Sequence, residues 1–367
     1  MLRCCLAALA LALGGCATYD MPPPGQRPMT ADEGRAFVVQ RLPAQLADRG
    51  GWATDIYAAM ASLQIPVTAS NVCAVVAVTE QESGFRVDPP VPGLAAIARR
   101  EIERQRERAG VPRLVLDTAL ALPSASGASY AERLAGVRTE RELSELFEDF
   151  IGRVPLGTTL LAQRNPVRTG GPMQVSIGFS QAHAEGSGYP YPVATSIRRE
   201  VFTRRGGMYF GIAHLLDYEA SYDRPLYRFA DFNAGHYASR NAAFQHAVTQ
   251  LGGVPLALDG DLLRYENGRP LNEAGETELA VRALGRRIDL DASSIRRDLE
   301  RARELAFERT TLYRRVMSLA DRAAGKPMPR AVLPRIPLSS PKITRKLTTE
   351  WFANRVQSRY EICMKRA

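Results

Sequence analysis

The run from Ser70 to Gly84 constrains the fold more than any other stretch, because it predicts a helix whose apolar face ends on a carboxylate. Ser70 supplies a cap and Ser83-Gly84 a stop. At 100° per residue Glu82 falls between Val75, about 20° away, and Val78, about 40° away, whereas Glu80 lies about 200° round the helix. Glu82 therefore extends the apolar face and Glu80 leaves it. A carboxyl at the rim of an apolar surface loses hydration when ionised. Its pKa rises and it stays protonated near neutral pH, the state a general acid for glycosidic cleavage must hold. Taken alone, Glu82 reads more simply as decoration of a helix C-terminus, where the macrodipole disfavours negative charge.

Helical signals dominate the rest of the chain and predict a mainly α architecture. Thr30-Ala31-Asp32-Glu33 has capping-box spacing before a helix at 36–46, and a second helix is expected over 51–63. Pro89 to Gly93 breaks the chain. Residues 94–151 read as a helical insertion, including a Thr-x-x-Glu start at Thr139 and Glu142. Gly170-Gly171-Pro172 precedes a short extended stretch at 173–177, and helices follow at 207–216 and from Leu226 to the Asn233-Ala234-Gly235 break. After Gly252 the pattern changes. Asn267-Gly268 suggests a hairpin turn, 293–323 reads as one long helix with a solvated, ion-paired face, 327–341 as a Pro-rich strap, and 348–364 as a terminal helix. The expected division is residues 1–15 as a leader, 16–29 as a tether, 30–252 as the principal domain, and 253–367 as a helical extension packed on it.

The leader carries one charge in Met1-Leu2-Arg3, then an apolar run from Cys4 to Leu13 that closes on Leu13-Gly14-Gly15-Cys16. That run is too short to span a bilayer and reads as a secretion signal. The last four residues resemble a bacterial lipobox. The resemblance implies cleavage before Cys16 and diacylation of its thiol, with a signal peptide cut near Ala17 as the alternative. Ala17 rather than an aspartate after the cysteine implies the periplasmic face of the outer membrane, and several acyl chains make a stable anchor. Cys73 and Cys363 then remain in an oxidising compartment, either bridged to each other or as two buried thiols. No second apolar segment approaches membrane-spanning length. The net charge of +9 and pI near 9.5 are compatible with nucleic acid, but export makes anionic envelope polymers the expected partners.

Three segments give the carboxylate a context: Glu82-Ser83 followed by an aromatic, Gly171-Pro172-Met173-Gln174, and Phe232-Asn233-Ala234-Gly235. In order they resemble the three motifs of soluble lytic transglycosylases, which share the goose-type lysozyme fold. Gly211-Ile212-Ala213-His214-Leu215-Leu216 is similar to the family's Gly-x-x-Tyr-Leu helix. The resemblance covers roughly 51–251, and the whole chain is also similar to a family of proteobacterial envelope lipoproteins. It implies an α+β lysozyme-like domain that cleaves the glycan strands of peptidoglycan. Glu82 is the implied acid and later base. Ser83 lines the site, Met173 and Gln174 form its floor and hold the sugar, and Phe232, Asn233 and Gly235 face the same cleft. Pro172 stands where leucine is usual and Phe232 where tyrosine is usual. The first two motifs lie some 90 residues apart instead of a few tens, so the 94–151 insertion is expected to fold outward.

A retaining hydrolase needs a second carboxylate about 5 Å from the first and an inverting one needs it at about 6.5–9.5 Å, whereas a lytic transglycosylase needs one acid. Asp88 and Asp231 are the nearest sequence candidates for a second acid. Asp88 lies in a Pro-bounded loop and Asp231 is expected to point away from Asn233, which favours the single-acid route. The alternatives are a muramidase and a non-catalytic glycan-binding lipoprotein. His183, His214, His236 and His246 lack metal-binding spacing, so no metal or other cofactor is expected. Gly170-Gly171 and Gly206-Gly207 lack the lysine of a phosphate loop. The tyrosines between 189 and 227 read mostly as core. Arg198-Arg199 and Arg204-Arg205 read as solvated surface, with peptide-stem carboxylates as the alternative partner.

Overall fold

The computed structural model describes residues 29–153, 159, 161, 164–266, 268–338 and 345–366. The leader, Cys16, the tether to residue 28, Asn267 and part of the Pro-rich strap lie outside the described residues. The fold is mainly helical, with three two-stranded antiparallel ribbons among the described residues.

The first helices are α1 (Ala31–Arg41), α2 (Arg49–Ser62) and α3 (Ala69–Glu82). Thr30 and Glu33 close the capping box, so α1 begins five residues before the expected start, and it ends before Pro43. The insertion supplies α4 (Leu94–Arg108), α5 (Arg113–Ala121), α6 (Tyr130–Gly136) and α7 (Glu140–Arg153). Strands β1 (Thr169–Gly170) and β2 (Val175–Ser176) pair Thr169 with Ser176 and Gly170 with Val175. Then come α8 (Ile177–Ser187), α9 (Ile197–Val201), α10 (Arg204–Leu216), α11 (Pro225–Ala234) and α12 (Ala238–Gly252). Pro225 at the first turn of α11 sits where its missing N–H is harmless.

Beyond α12, β3 (Tyr265–Glu266) pairs with β4 (Arg269–Pro270) across the expected turn. The expected long helix is broken into α15 (Ala292–Leu299), a 3₁₀ turn (Leu305–Arg309) and α16 (Thr311–Ala324), preceded by α13 (Glu276–Ala283) and α14 (Gly285–Ile288). The break has a long-range cause. The guanidinium of the fully buried Arg240 donates to the carbonyls of Glu304, at 2.8 Å, and Ala302, and Asn241 also donates to Ala302 O at 3.0 Å. Carbonyls held this way are drawn out of a helical ladder. After β5 (Pro337–Leu338) and β6 (Leu347–Thr348), the helix α17 (Thr349–Met364) ends the described fold.

Two apolar cores result. One gathers α1–α11 together with α17, including Leu94, Tyr130, Leu134, Leu143 and Leu146 of the insertion. The other joins Phe244, Val248 and Leu251 of α12 to α13–α16 through Phe307, Leu312 and Val316. The expected boundary at 252 therefore does not separate the cores: α12 belongs with the extension and α17 returns to the first core. No helix among the described residues is long and apolar enough to cross a membrane.

Candidate active site

Thr68, two residues before the expected cap, caps α3 by accepting from Asn71 N at 3.2 Å, while Ser70 Oγ bonds Tyr360 Oη at 3.1 Å. The last turn of α3 separates its carboxylates. Glu80 faces α17 and pairs with Arg359 at 3.1 Å and Arg366 at 3.8 Å. Glu82 is half-buried and has no hydrogen-bond or ion-pair partner among the described residues. Crowding by protein atoms, and secondly the charge of Glu140, push its pKa up to about 8. Ser83 Oγ donates back to Thr79 O at 3.1 Å, so its hydroxyl proton is already engaged. Beyond it, Gly84 and Phe85 take left-handed backbone, and buried Phe85 meets the edge of Trp52 at 5.2 Å.

Glu140 is the neighbour that sequence patterns did not supply. It opens α7, where Thr139 Oγ1 accepts from Glu142 N at 3.2 Å. The start of α7 is fixed to the loop after Glu82 by Val91 N donating to Arg138 O at 2.9 Å and by an Arg141–Asp88 ion pair at 3.2 Å. Farther along, Ser144 Oγ accepts from Asn165 Nδ2 at 3.1 Å and Glu148 pairs with Arg199 at 3.1 Å. The insertion thus folds inward, because its apolar face has the first core to bury against, and it brings an acid to the end of α3. The expected second acids are occupied elsewhere. Asp88 is in the ion pair just named. Asp231 is wholly buried and accepts from Ser239 N at 2.7 Å, Tyr237 N at 3.0 Å and Tyr222 Oη at 2.6 Å, which makes it a structural anchor for α12.

The helix that ends in Glu82 and the two later motif segments meet on one helix. Along α10, Met208 Sδ lies 3.9 Å from Thr79 Oγ1 of α3, Gly211 packs against Met173, and His214 Nε2 donates to Phe232 O at 3.2 Å. These positions are three residues apart, about 4.5 Å in rise and 60° in angle per step, so the segments fan around α10. Glycine makes the approach possible. A Cβ on Gly211 would sit 2.6 Å from Met173 Cβ, one on Gly207 2.4 Å from Pro172 Cδ, and one on Gly171 2.2 Å from Val201 O. Both Gly-rich pairs are therefore packing devices.

Several expected roles change at this resolution of detail. Met173 is wholly buried against Gly211 of α10 and is not placed to touch a ligand. Gln174, on left-handed backbone, donates its amide to Gly171 O at 3.2 Å and so braces its own turn. Phe232 is buried beside His214. Asn233 is exposed but accepts from Thr349 Oγ1 of α17 at 3.2 Å, and Gly235, at φ +106°, ends α11. The arginine pairs are engaged: Arg198 donates to Val167 O at 2.9 Å, Arg204 pairs with Asp48 and Asp55, and Arg205 pairs with Glu200 at 3.2 Å.

The histidines contribute to an aromatic column. His236 stacks between Tyr218, at 4.0 Å, and His214, at 4.6 Å, and Phe179 follows at 4.6 Å from His214. Burial pushes the pKa of His214 down to about 4. Among the described residues no group of three or more His, Cys, Asp or Glu side chains is placed to hold a metal ion. A groove of about 1010 Å3 opens between the α2–α3 turn and the 216–221 loop, and Glu82 is not among its lining residues. Asn71, which lines it, precedes Glu82 by about 16 Å of helix.

Two of the expected thiols are joined. Cys73 and Cys363 form a disulfide, with Cα atoms 5.5 Å apart, that ties α17 to α3.

The chain belongs to the family described as "Protein of unknown function (DUF1615)", whose model matches residues 45–366, a span that takes in both the insertion and α17. It is similar to a protein of Escherichia coli (strain K12) described as "Uncharacterized protein YaiW", with 51% identity over 355 residues, 97% of this chain and 96% of the relative. No solved structure matches.

Proposed function

We propose that the protein is a lytic transglycosylase of lysozyme-like type that cleaves the bond between N-acetylmuramic acid and N-acetylglucosamine in peptidoglycan. The observation that carries this reading is Glu82, a carboxyl at the end of α3 with no hydrogen-bond or ion-pair partner among the described residues, whose pKa of about 8 leaves it protonated at neutral pH. The convergence of α3, the Gly171–Gln174 turn and α11 on α10 supports it. Protonated Glu82 gives its proton to the glycosidic oxygen as the bond to the anomeric carbon breaks. The substrate's N-acetyl oxygen assists at that carbon. The resulting carboxylate takes the proton of the muramoyl 6-hydroxyl as its oxygen closes on C1, leaving a 1,6-anhydro end and a regenerated acid. In this reading acylated Cys16 holds the chain on the periplasmic face of the outer membrane, and no cofactor takes part.

Glu140 favours a second reading, a muramidase. An additional carboxylate whose charge acts on Glu82 is the element a hydrolase requires and a transglycosylase does not. Digestion of purified sacculi by the chain from residue 16, with Cys16→Ser, separates the readings by mass spectrometry. Anhydro-ended muropeptides that vanish in Glu82→Gln are the expected result. Hydrolysed reducing ends lost in both Glu82→Gln and Glu140→Gln point to the muramidase. Sacculus binding without release of products overturns both in favour of a non-catalytic glycan-binding protein.

A further inference from the structure

The helix α5 is apolar on two opposite faces, and the core occupies one of them. Leu116 and Leu120 turn inward, Leu120 buried and Leu116 packed against the first core. Leu114, Val115 and Leu122 turn outward at 76%, 54% and 51% exposure. On a helical wheel Leu114, Val115 and the C-cap Leu122 fall within about 100°, centred some 160° from the inward pair. Exposed Thr118 falls among them with its hydroxyl turned back onto Leu114 O at 2.8 Å, and the three aliphatic side chains form an exposed apolar patch opposite the core.

The hairpin that carries the outward face has an excess of positive charge. Residues 94–122 carry six arginines against four acids. Arg100, Arg104 and Arg108 recur at every fourth position of α4 and are all exposed, and among the described residues Arg100 and Arg108 have no ion-pair partner. Arg113, its side chain 74% exposed, stands beside Leu114, held loosely by Asp117 at 3.6 Å. Gly110, at φ +67°, turns α4 directly into α5, so the arginine stripe and the exposed leucines belong to one helical hairpin. Exposed aliphatic side chains flanked by arginines match the headgroup region of an anionic bilayer, where the aliphatic groups enter the acyl boundary and the guanidinium groups stay among phosphates. A twofold pairing of two copies through this face is disfavoured, since an isologous contact sets a patch against itself and brings like-charged stripes together.

We propose that the outward face of α5, with the α4 arginine stripe, seats on the surface of an anionic lipid membrane. The contact is independent of acylation and of any glycan chemistry at Glu82. The test is flotation of the chain from residue 16 bearing Cys16→Ser, so that no acyl chain contributes, with vesicles of phosphatidylglycerol and phosphatidylcholine against pure phosphatidylcholine. Binding is expected to the anionic vesicles. Leu114→Asp with Val115→Asp is expected to weaken it about tenfold or more, the aliphatic anchor being replaced by charge. Arg100→Glu with Arg108→Glu is expected to weaken it comparably, and about 0.5 M salt to remove most of what remains. Unchanged far-ultraviolet circular dichroism and melting keep these surface variants interpretable, and the arginine pair stands as an independent variant if the aspartates disturb the fold. Absence of binding to anionic vesicles, or binding indifferent to both pairs of substitutions, overturns the proposal. So does a concentration-dependent dimer dispersed by the aspartate pair, which assigns the face to a second copy.

Discussion

Glu82 and Glu140 occupy opposite kinds of helix end. Glu82 closes α3 and Glu140 opens α7. Burial first, and the charge of Glu140 second, set Glu82 to hold its proton. The consequence for stability can be signed. Glu82 in the folded protein keeps a proton to about pH 8, whereas the unfolded chain releases it near its ordinary value of 4.5. The contribution is therefore full below 4.5 and is lost as pH rises through the window to 8, with a limiting slope of about 1.4 kcal/mol per pH unit. Glu82→Gln is expected to stabilise the fold by roughly 1–3 kcal/mol near neutral pH and to leave it unchanged near pH 4. Urea unfolding at the two pH values checks this, and equal effects at both would remove the basis for Glu82 as an acid. The wheel separated Glu82 from Glu80 from the sequence alone because one helix fixes both. Glu140 stayed hidden: Thr139 and Glu142 mark its helix start, but nothing in a local pattern says where a helix 58 residues downstream will dock.

Among the elements, α10 is the one on which the site depends. Its glycines admit the Gly171–Gln174 turn, and its Met208 and His214 reach α3 and α11. Two glycines with positive φ distinguish strain from collision. Gly235, at +106°, has open space around a notional Cβ, whereas Gly171, at +71°, would drive one into Val201 O at 2.2 Å. Gly235→Ala is expected to cost about 2 kcal/mol from backbone strain alone, since φ +106° with ψ 150° is a region that glycine almost alone adopts, and Gly171→Ala about 4 kcal/mol once the steric clash is added to left-handed strain. Chemical unfolding of both variants checks the difference; similar losses would mean that the turn relaxes freely. The helix α11, between Pro225 and Gly235, was legible to within a residue, whereas α1, expected over 36–46, runs from Ala31 to Arg41 and stops before Pro43. The run at 293–323 was not, because it contains no glycine or proline: Arg240 and Asn241, some 60 residues away, draw out the carbonyls of Ala302 and Glu304, and Thr310 then caps a new helix. A buried guanidinium that takes backbone carbonyls leaves no mark in the pattern of the segment it interrupts.

Across the whole molecule, α17 lies against both α3 and α11, and the Cys73–Cys363 bond closes a loop of 290 residues. Chain-entropy reasoning gives about 5–6 kcal/mol for such a loop as a limiting value, with about 2–4 typical of measured bridges. Cys363→Ser is expected to lower stability by about 3–5 kcal/mol, measured against the oxidised protein in guanidinium, with a similar loss on reduction of the native chain. A change below about 1 kcal/mol would mean that packing alone holds α17. Composition and helical periodicity made the mainly α class legible, but not the return of the final helix to the first core, since neither cysteine spacing nor apolar pattern chooses between a bridge and two separate thiols.

That return sets an order of events. The face of α3 that carries Cys73 and Glu80 is synthesised early, yet its cover, at residues 349–364, leaves the ribosome nearly 280 residues later. Until then the first core lacks a wall, and the apolar face of α3 stays uncovered. Under the export that the proposed acylation of Cys16 entails, such wiring favours threading in an extended state, because the contacts that would lock the chain too soon are not yet there to form.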